Sequence, residues 1–229
     1  MGNITGILFG LIGLAIPILI IAAIVYFILR IKSGISLSIS YKAALRVYFY
    51  IVILVSVGIT GLGGLSTLLN VGLGEIVGRE FSYGDVYRDH RELQSLQNNE
   101  DPSSLVIGDK RSLSEKIDLE MKGNLINGVS LAVIGSFLMI VHFLGRRWVD
   151  AVDERSDLLK RLYLIAGLAV FAVITFVALI AGIPETLRYA LLEVEPGHES
   201  PGEALSIAIV GLPIWVSYLG ATLRNVRSK

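Results

Sequence analysis

The sequence predicts an all-α, polytopic membrane bundle of five transmembrane helices, with the N-terminus outside and the C-terminus in the cytoplasm. Three observations predict it. The chain of 229 residues is 53% hydrophobic and 17% charged, with a mean hydropathy of +0.68, well to the apolar side of soluble domains. It contains uncharged runs long enough to cross a bilayer. The segments between these runs alternate in charge, basic in one set and acid-rich in the other.

Residues 4 to 29 are uncharged and rich in Ile and Leu. As a helix they reach about 39 Å, more than the ~30 Å hydrocarbon core requires. Residues 1–30 read as an uncleaved N-terminal anchor. Met1, Gly2 and Asn3 supply no positive n-region for a signal peptide, and Gly6 stands where a myristoylation motif needs Ser or Thr. Pro17 predicts a kink in this span, eased by Gly13 four residues earlier.

Arg30, Lys32, Lys42 and Arg46 crowd a short loop before the second uncharged run, 47 to 74, which starts with Tyr48, Phe49 and Tyr50 at the level of an aromatic belt. Residues 41–148 form a first helical hairpin, with 75–122 as its external loop. Inside that loop Ser112 and Glu115 have capping-box spacing, followed by Leu113, Ile117 and Met121 on one helical face. Val86, Leu93 and Leu96 mark a looser helical stripe, and Asp101-Pro102 separates the two. The third span, 124 to 144, is interrupted only by His142 and ends on Arg146, Arg147 and Trp148.

Residues 157–224 form the second hairpin. Lys160, Arg161 and Tyr163 introduce an uncharged run from 162 to 184, where Pro184 is expected to end the helix. Turns follow at Pro196-Gly197 and Pro201-Gly202. The fifth span, 204 to 223, contains Pro213 and closes on Arg224, Arg227 and Lys229. The loops at 30–46 and 146–161 and the C-terminal tail carry the basic excess, so the positive-inside rule places them in the cytoplasm.

The hairpins align with one another. Arg46, Tyr48 and Thr60 fall against Arg161, Tyr163 and Thr175, and Ser130, Ala132 and Gly135 fall against Ser206, Ala208 and Gly211. This reads as a parallel repeat about an axis along the membrane normal. The basic-aromatic start, the uncharged span and the return span with Trp215 and Tyr218 resemble a prokaryotic integral-membrane domain family of unknown function. The first copy departs from that pattern, with Met139 and His142 opposite Trp215 and Tyr218. The resemblance implies a two-helix hairpin fold and a prokaryotic cell membrane, and it carries no activity.

Small residues at four-residue spacing mark expected helix-packing ridges: Gly6 and Gly10; Ser56, Thr60 and Gly64; Gly128, Ala132 and Ser136; and Gly211 in the last span. Arg46, Tyr48, Trp148, Arg161, Tyr163 and Trp215 are the expected interface anchors. Asp, Glu, Lys and Arg are absent from all five predicted spans, which argues against a proton-coupled pump or a voltage sensor. His142 is the one candidate for a cofactor contact; a haem would need a second ligand from another subunit, and an interfacial hydrogen bond is the plainer role. Asp85, Asp89, His90 and Glu92 lack a ligand pattern for a metal, and a solvated helix face explains them. No cysteine is present, which removes disulfides and thiolate chemistry. No phosphate loop, zinc-protease pattern or nucleophile elbow occurs, and net charge is zero, so neither an enzyme nor a nucleic-acid binder is expected. The expectation is a non-catalytic accessory or structural subunit, with no cofactor and with lipids and other membrane subunits as partners. The alternative is a channel or carrier for a small neutral or lipidic solute, lined by Ser56, Thr60, Ser130 and Ser206.

Overall fold

The computed structural model describes residues 41–99, 111–149, 157–192 and 197–227. The first predicted span, with Gly6, Gly10, Gly13 and Pro17, and the Asp101-Pro102 break lie outside the described residues. The chain divides into two units, Met1–Val47 and Tyr48–Lys229; Arg46 belongs to the first, and the packing described below is that of the second.

Among the described residues every regular element is helical. Helix α1, Tyr41–Gly58, continues into a π-helical segment, Ile59–Leu65, and then into α2, Ser66–Ile76. After α2 come α3, Arg79–Asn99; α4, Leu113–Val149; α5, Asp157–Leu191; and α6, Gly202–Arg227. Among the described residues four stretches are long and apolar enough to cross a membrane: Leu45–Ile76, Leu113–Val149, Leu159–Leu191 and Gly202–Arg227.

The α1–π–α2 rod is the centre. Lipid is as apolar as a leucine side chain, so helices in it associate mainly by close approach and van der Waals contact, which small residues permit. The rod uses this on two sides. Against α4, a Cβ added to Gly64 would lie 2.6 Å from the Ala132 backbone nitrogen, one added to Gly128 would lie 2.9 Å from Leu68, and one added to Gly145 would lie 2.9 Å from the Phe49 ring. Against α6, a Cβ on Gly61 would meet Ile214 at 2.5 Å, and one on Gly202 would meet the Asn70 side-chain oxygen at 2.6 Å. Helices α5 and α6 close against each other along their length, with Gly167 under the Tyr218 ring, Gly211 facing Thr175, and Gly182 facing Ala204 and Leu205.

The π segment, Ile-Thr-Gly-Leu-Gly-Gly-Leu, was not foreseen. Its glycines weaken an ordinary helix, and its wider turn brings Gly61 toward α6 and Gly64 toward α4. Returning from i−5 to i−4 pairing leaves a carbonyl without a backbone donor. Here Ser66 N–H donates to Gly61 O, the Ser66 hydroxyl donates to Leu62 O, and the Thr67 hydroxyl donates to Gly63 O at 2.6 Å.

Two local expectations change. Pro184 does not end its helix; α5 runs on to Leu191. Neighbouring contacts hold the turns beyond the proline: Tyr189 packs edge-on to Phe81 with ring centroids 5.1 Å apart, and Arg188 pairs with Glu199 at 3.5 Å. Within 75–122 the two expected helices form, and both reach further than expected. Gly78, at φ +150, turns the chain after α2, and α3 folds back so that Phe81, Ser82, Tyr83 and Gly84 are buried. Tyr83 breaks the helical path there, at φ −128 and ψ 28. The Ser112–Glu115 capping box forms, with Ser112 N–H donating to Glu115 Oε2 at 2.8 Å. The helix that it starts does not stop before the third span but is continuous with it.

Candidate functional site

Among the described residues α4 is the least buried of the four long apolar stretches. Only Ile117, Gly128 and Gly135 of this helix are fully buried. Ile126, Val133, Ile134, Phe137 and Ile140 are all more than half exposed. The reason is the one-sided glycine contact: Gly128, Ala132 and Gly135 bring the backbone hard against the rod, so the longer side chains point away. Ser136 is half-buried, while Asn127 and Ser130 lie exposed on the bare side among these apolar residues.

At one end of the bundle the side chains are basic and aromatic. Tyr163 and Tyr218 share a hydroxyl–hydroxyl hydrogen bond of 2.7 Å. Tyr218 stacks on Phe171 and Tyr163 lies against Tyr50, while Arg146 caps the Tyr50 ring at 4.5 Å. In the other hairpin the Tyr48 hydroxyl meets His142 Nε2 at 3.1 Å, and His142 Nδ1 lies 2.7 Å from Leu138 O. Both ring nitrogens of His142 are thus engaged within the chain. Trp148 is almost fully exposed and Trp215 packs edge-on to Phe176. Arg161 lines an apolar groove between α5 and α6.

At the other end α3, the α5–α6 connection and the start of α6 meet backbone to backbone. Gly84 N–H donates to Ser200 Oγ at 3.2 Å, and the Ser82 hydroxyl donates to Asn70 O at 2.8 Å. Gly197, at φ +83, is so close to Gly84 O that a Cβ would lie 2.7 Å from it. Arg79 joins α3 to α4 through Asp118 at 2.7 Å. Burial holds the Tyr83 and Tyr87 phenols above their ordinary pKa. No group of three or more His, Cys, Asp or Glu side chains able to hold a metal occurs among the described residues. His90 instead contacts Gln94 at 3.2 Å.

Of the hydroxyls expected to line a solute path, only Ser130 is exposed. Ser56 is buried and donates to Val52 O at 2.7 Å; Ser130 points outward; Ser206 is buried. Thr60, Thr175 and Ser206 carry buried hydroxyls without a hydrogen-bond partner. The capping of the bundle by Phe81–Gly84 and the π segment escaped the sequence reading; three glycines in Thr60–Gly64 were the only visible sign of the latter. Compared with known proteins, this chain matches no family model, no curated protein and no solved structure.

Proposed function

We propose that the chain is a non-catalytic multi-pass protein of a prokaryotic cell membrane, acting as an accessory subunit that packs against partners in a larger assembly, its basic end in the cytoplasm. The observation that carries this reading is the bare side of α4. Lipid can cover Ile126, Val133 and Phe137, but an amide exposed in hydrocarbon lacks hydrogen-bond partners, and a neighbouring helix supplies them. Asn127 and Ser130, a single turn apart on that side, are placed for such a neighbour. The internal duplication belongs to the same proposal. The aligned residues make like contacts: Tyr48 with His142 and Tyr163 with Tyr218, Thr60 with Gly135 and Thr175 with Gly211.

The test uses the absence of native cysteine. Single cysteines at Asn127 and Ser130, with Val173 on α5 as the exposed control, are cross-linked in native membranes, and the adducts are identified by native electrophoresis and mass spectrometry. A defined partner captured in fixed ratio from α4 and not from Val173 is the expected result. Recovery of the chain alone from all three positions sinks the subunit reading. The alternative, a carrier for a small neutral or lipidic solute, is favoured by the unpartnered hydroxyls of Thr60, Thr175 and Ser206. Flux in liposomes holding only this chain tests it.

A further inference from the structure

The geometry points to an anionic phospholipid site in the groove between the first turns of α5 and the last turns of α6. The groove has a volume of about 170 Å³ and is lined by Arg161, Leu164, Ile165, Thr222, Asn225 and Val226. Small-molecule pockets run from about 300 to 1,000 Å³, so a drug-sized soluble ligand does not fit. The groove is also graded along its depth. The helices are antiparallel, with Gly167 against Tyr218 and Thr175 against Gly211. That register puts Arg161 level with Asn225 near the helix ends, and Leu164 and Ile165 level with Thr222 one turn deeper. Leu164 is buried at the floor, and Ile165 and Val226 are exposed walls. The Thr222 hydroxyl donates to Tyr218 O at 2.8 Å, which removes it as a free donor toward the deep part. A cationic and amide rim over an apolar trough matches a phosphate headgroup over the first part of an acyl chain.

Charge favours an anion there. Lys160, Arg224 and Arg227 flank the rim, and the one acidic residue within 157–184 and 204–227 is Asp157, at the start of α5. The positive end of the α5 dipole lies at the same level. Free phosphate would meet the rim but would leave the trough empty, so the occupant is the lipid. This inference needs the membrane setting of the proposed function and is independent of any protein partner.

The test is native mass spectrometry of the detergent-purified chain titrated with phosphatidylglycerol, phosphatidylcholine or inorganic phosphate. Retention of phosphatidylglycerol over phosphatidylcholine is expected. One cation near a membrane surface is worth about fivefold in anionic-lipid affinity, so Arg161→Gln should lose about that factor. Val226→Trp, which fills the groove from an exposed wall, should weaken binding with the charge intact. Arg147→Gln on α4 removes the same charge away from the groove and should change little. Equal losses for Arg147→Gln and Arg161→Gln, no effect of Val226→Trp, absence of headgroup selectivity, or displacement of the lipid by inorganic phosphate would each overturn the proposal.

Discussion

The Thr175 hydroxyl stands 2.6 Å from where a Gly211 side chain would begin. Thr60 holds the same relation to Gly135 on the other hairpin. Each threonine occupies the space that a missing side chain leaves, and each hydroxyl is buried without a hydrogen-bond partner. A buried hydroxyl in that state costs about 1–3 kcal/mol. Thr60→Val and Thr175→Val keep the shape and remove the unsatisfied group, so each should leave stability unchanged or raise it by about 1 kcal/mol. Unfolding in detergent measures this. A loss above about 1 kcal/mol in either variant would mean that the hydroxyl has a use.

The glycines divide by surroundings. A Cβ at Gly64 meets the backbone of Ala132 at 2.6 Å, whereas one at Gly72 meets nothing within 4 Å. Backbone cannot step aside as a side-chain end can, so Gly64→Ala should cost about 1–3 kcal/mol. Gly72→Ala should be neutral or stabilise by up to about 1 kcal/mol through helix propensity. Thermal unfolding of both variants checks the contrast, and equal behaviour would contradict the close α4 crossing.

The Tyr163–Tyr218 hydrogen bond is suited to a double-mutant cycle. Tyr163→Phe and Tyr218→Phe should each cost about 1 kcal/mol, since each strands the other hydroxyl in a half-buried or buried setting. The double variant should cost less than the sum by about 0.5 kcal/mol or more. Additive costs would show that the hydroxyls do not act together.

Tyr83 gives a pH signature. Burial raises its pKa above the ordinary phenol value of about 10, Asn124 opposes the shift, and the charges of Glu120 and Glu75 add to it. The folded state therefore holds the proton more tightly than the unfolded state. Stability from this group is complete below pH about 10 and is lost as pH rises through the higher folded pKa. Absorbance titration of tyrosinate should show an alkaline component that Tyr83→Phe removes. An unchanged titration would mean that the phenol is solvated.

Phe81 is 3% exposed and packs edge-on to Tyr189. Phe81→Ala should cost about 3–5 kcal/mol, as core phenylalanines do. Removing 75–122 altogether would then destabilise the bundle. Unfolding measurements of Phe81→Ala decide between a docked and a loose α3; a cost under about 1 kcal/mol would indicate the latter.

Within the described residues, the sequence by itself determined which four stretches are helical and apolar enough to span. Composition and charge are summed along the chain, and a run without charge is legible without knowing its neighbours. It also disclosed the Ser112–Glu115 cap, because a capping box is local, within a single helical turn. It marked Gly64 and Gly128 by their four-residue spacing to other small residues, and a Cβ on either would meet a neighbouring helix. Only the tertiary structure decided which helix each glycine faces, that Ser130 faces outward while Ser206 is buried, and that Pro184 lies inside a helix held by Tyr189 and Arg188. It alone brought Phe81–Gly84 under the bundle and wound Ile59–Leu65 into a π segment. These outcomes depend on contacts between residues far apart in the chain. A hydroxyl, a glycine or a proline reads the same in either setting until the neighbouring backbone arrives.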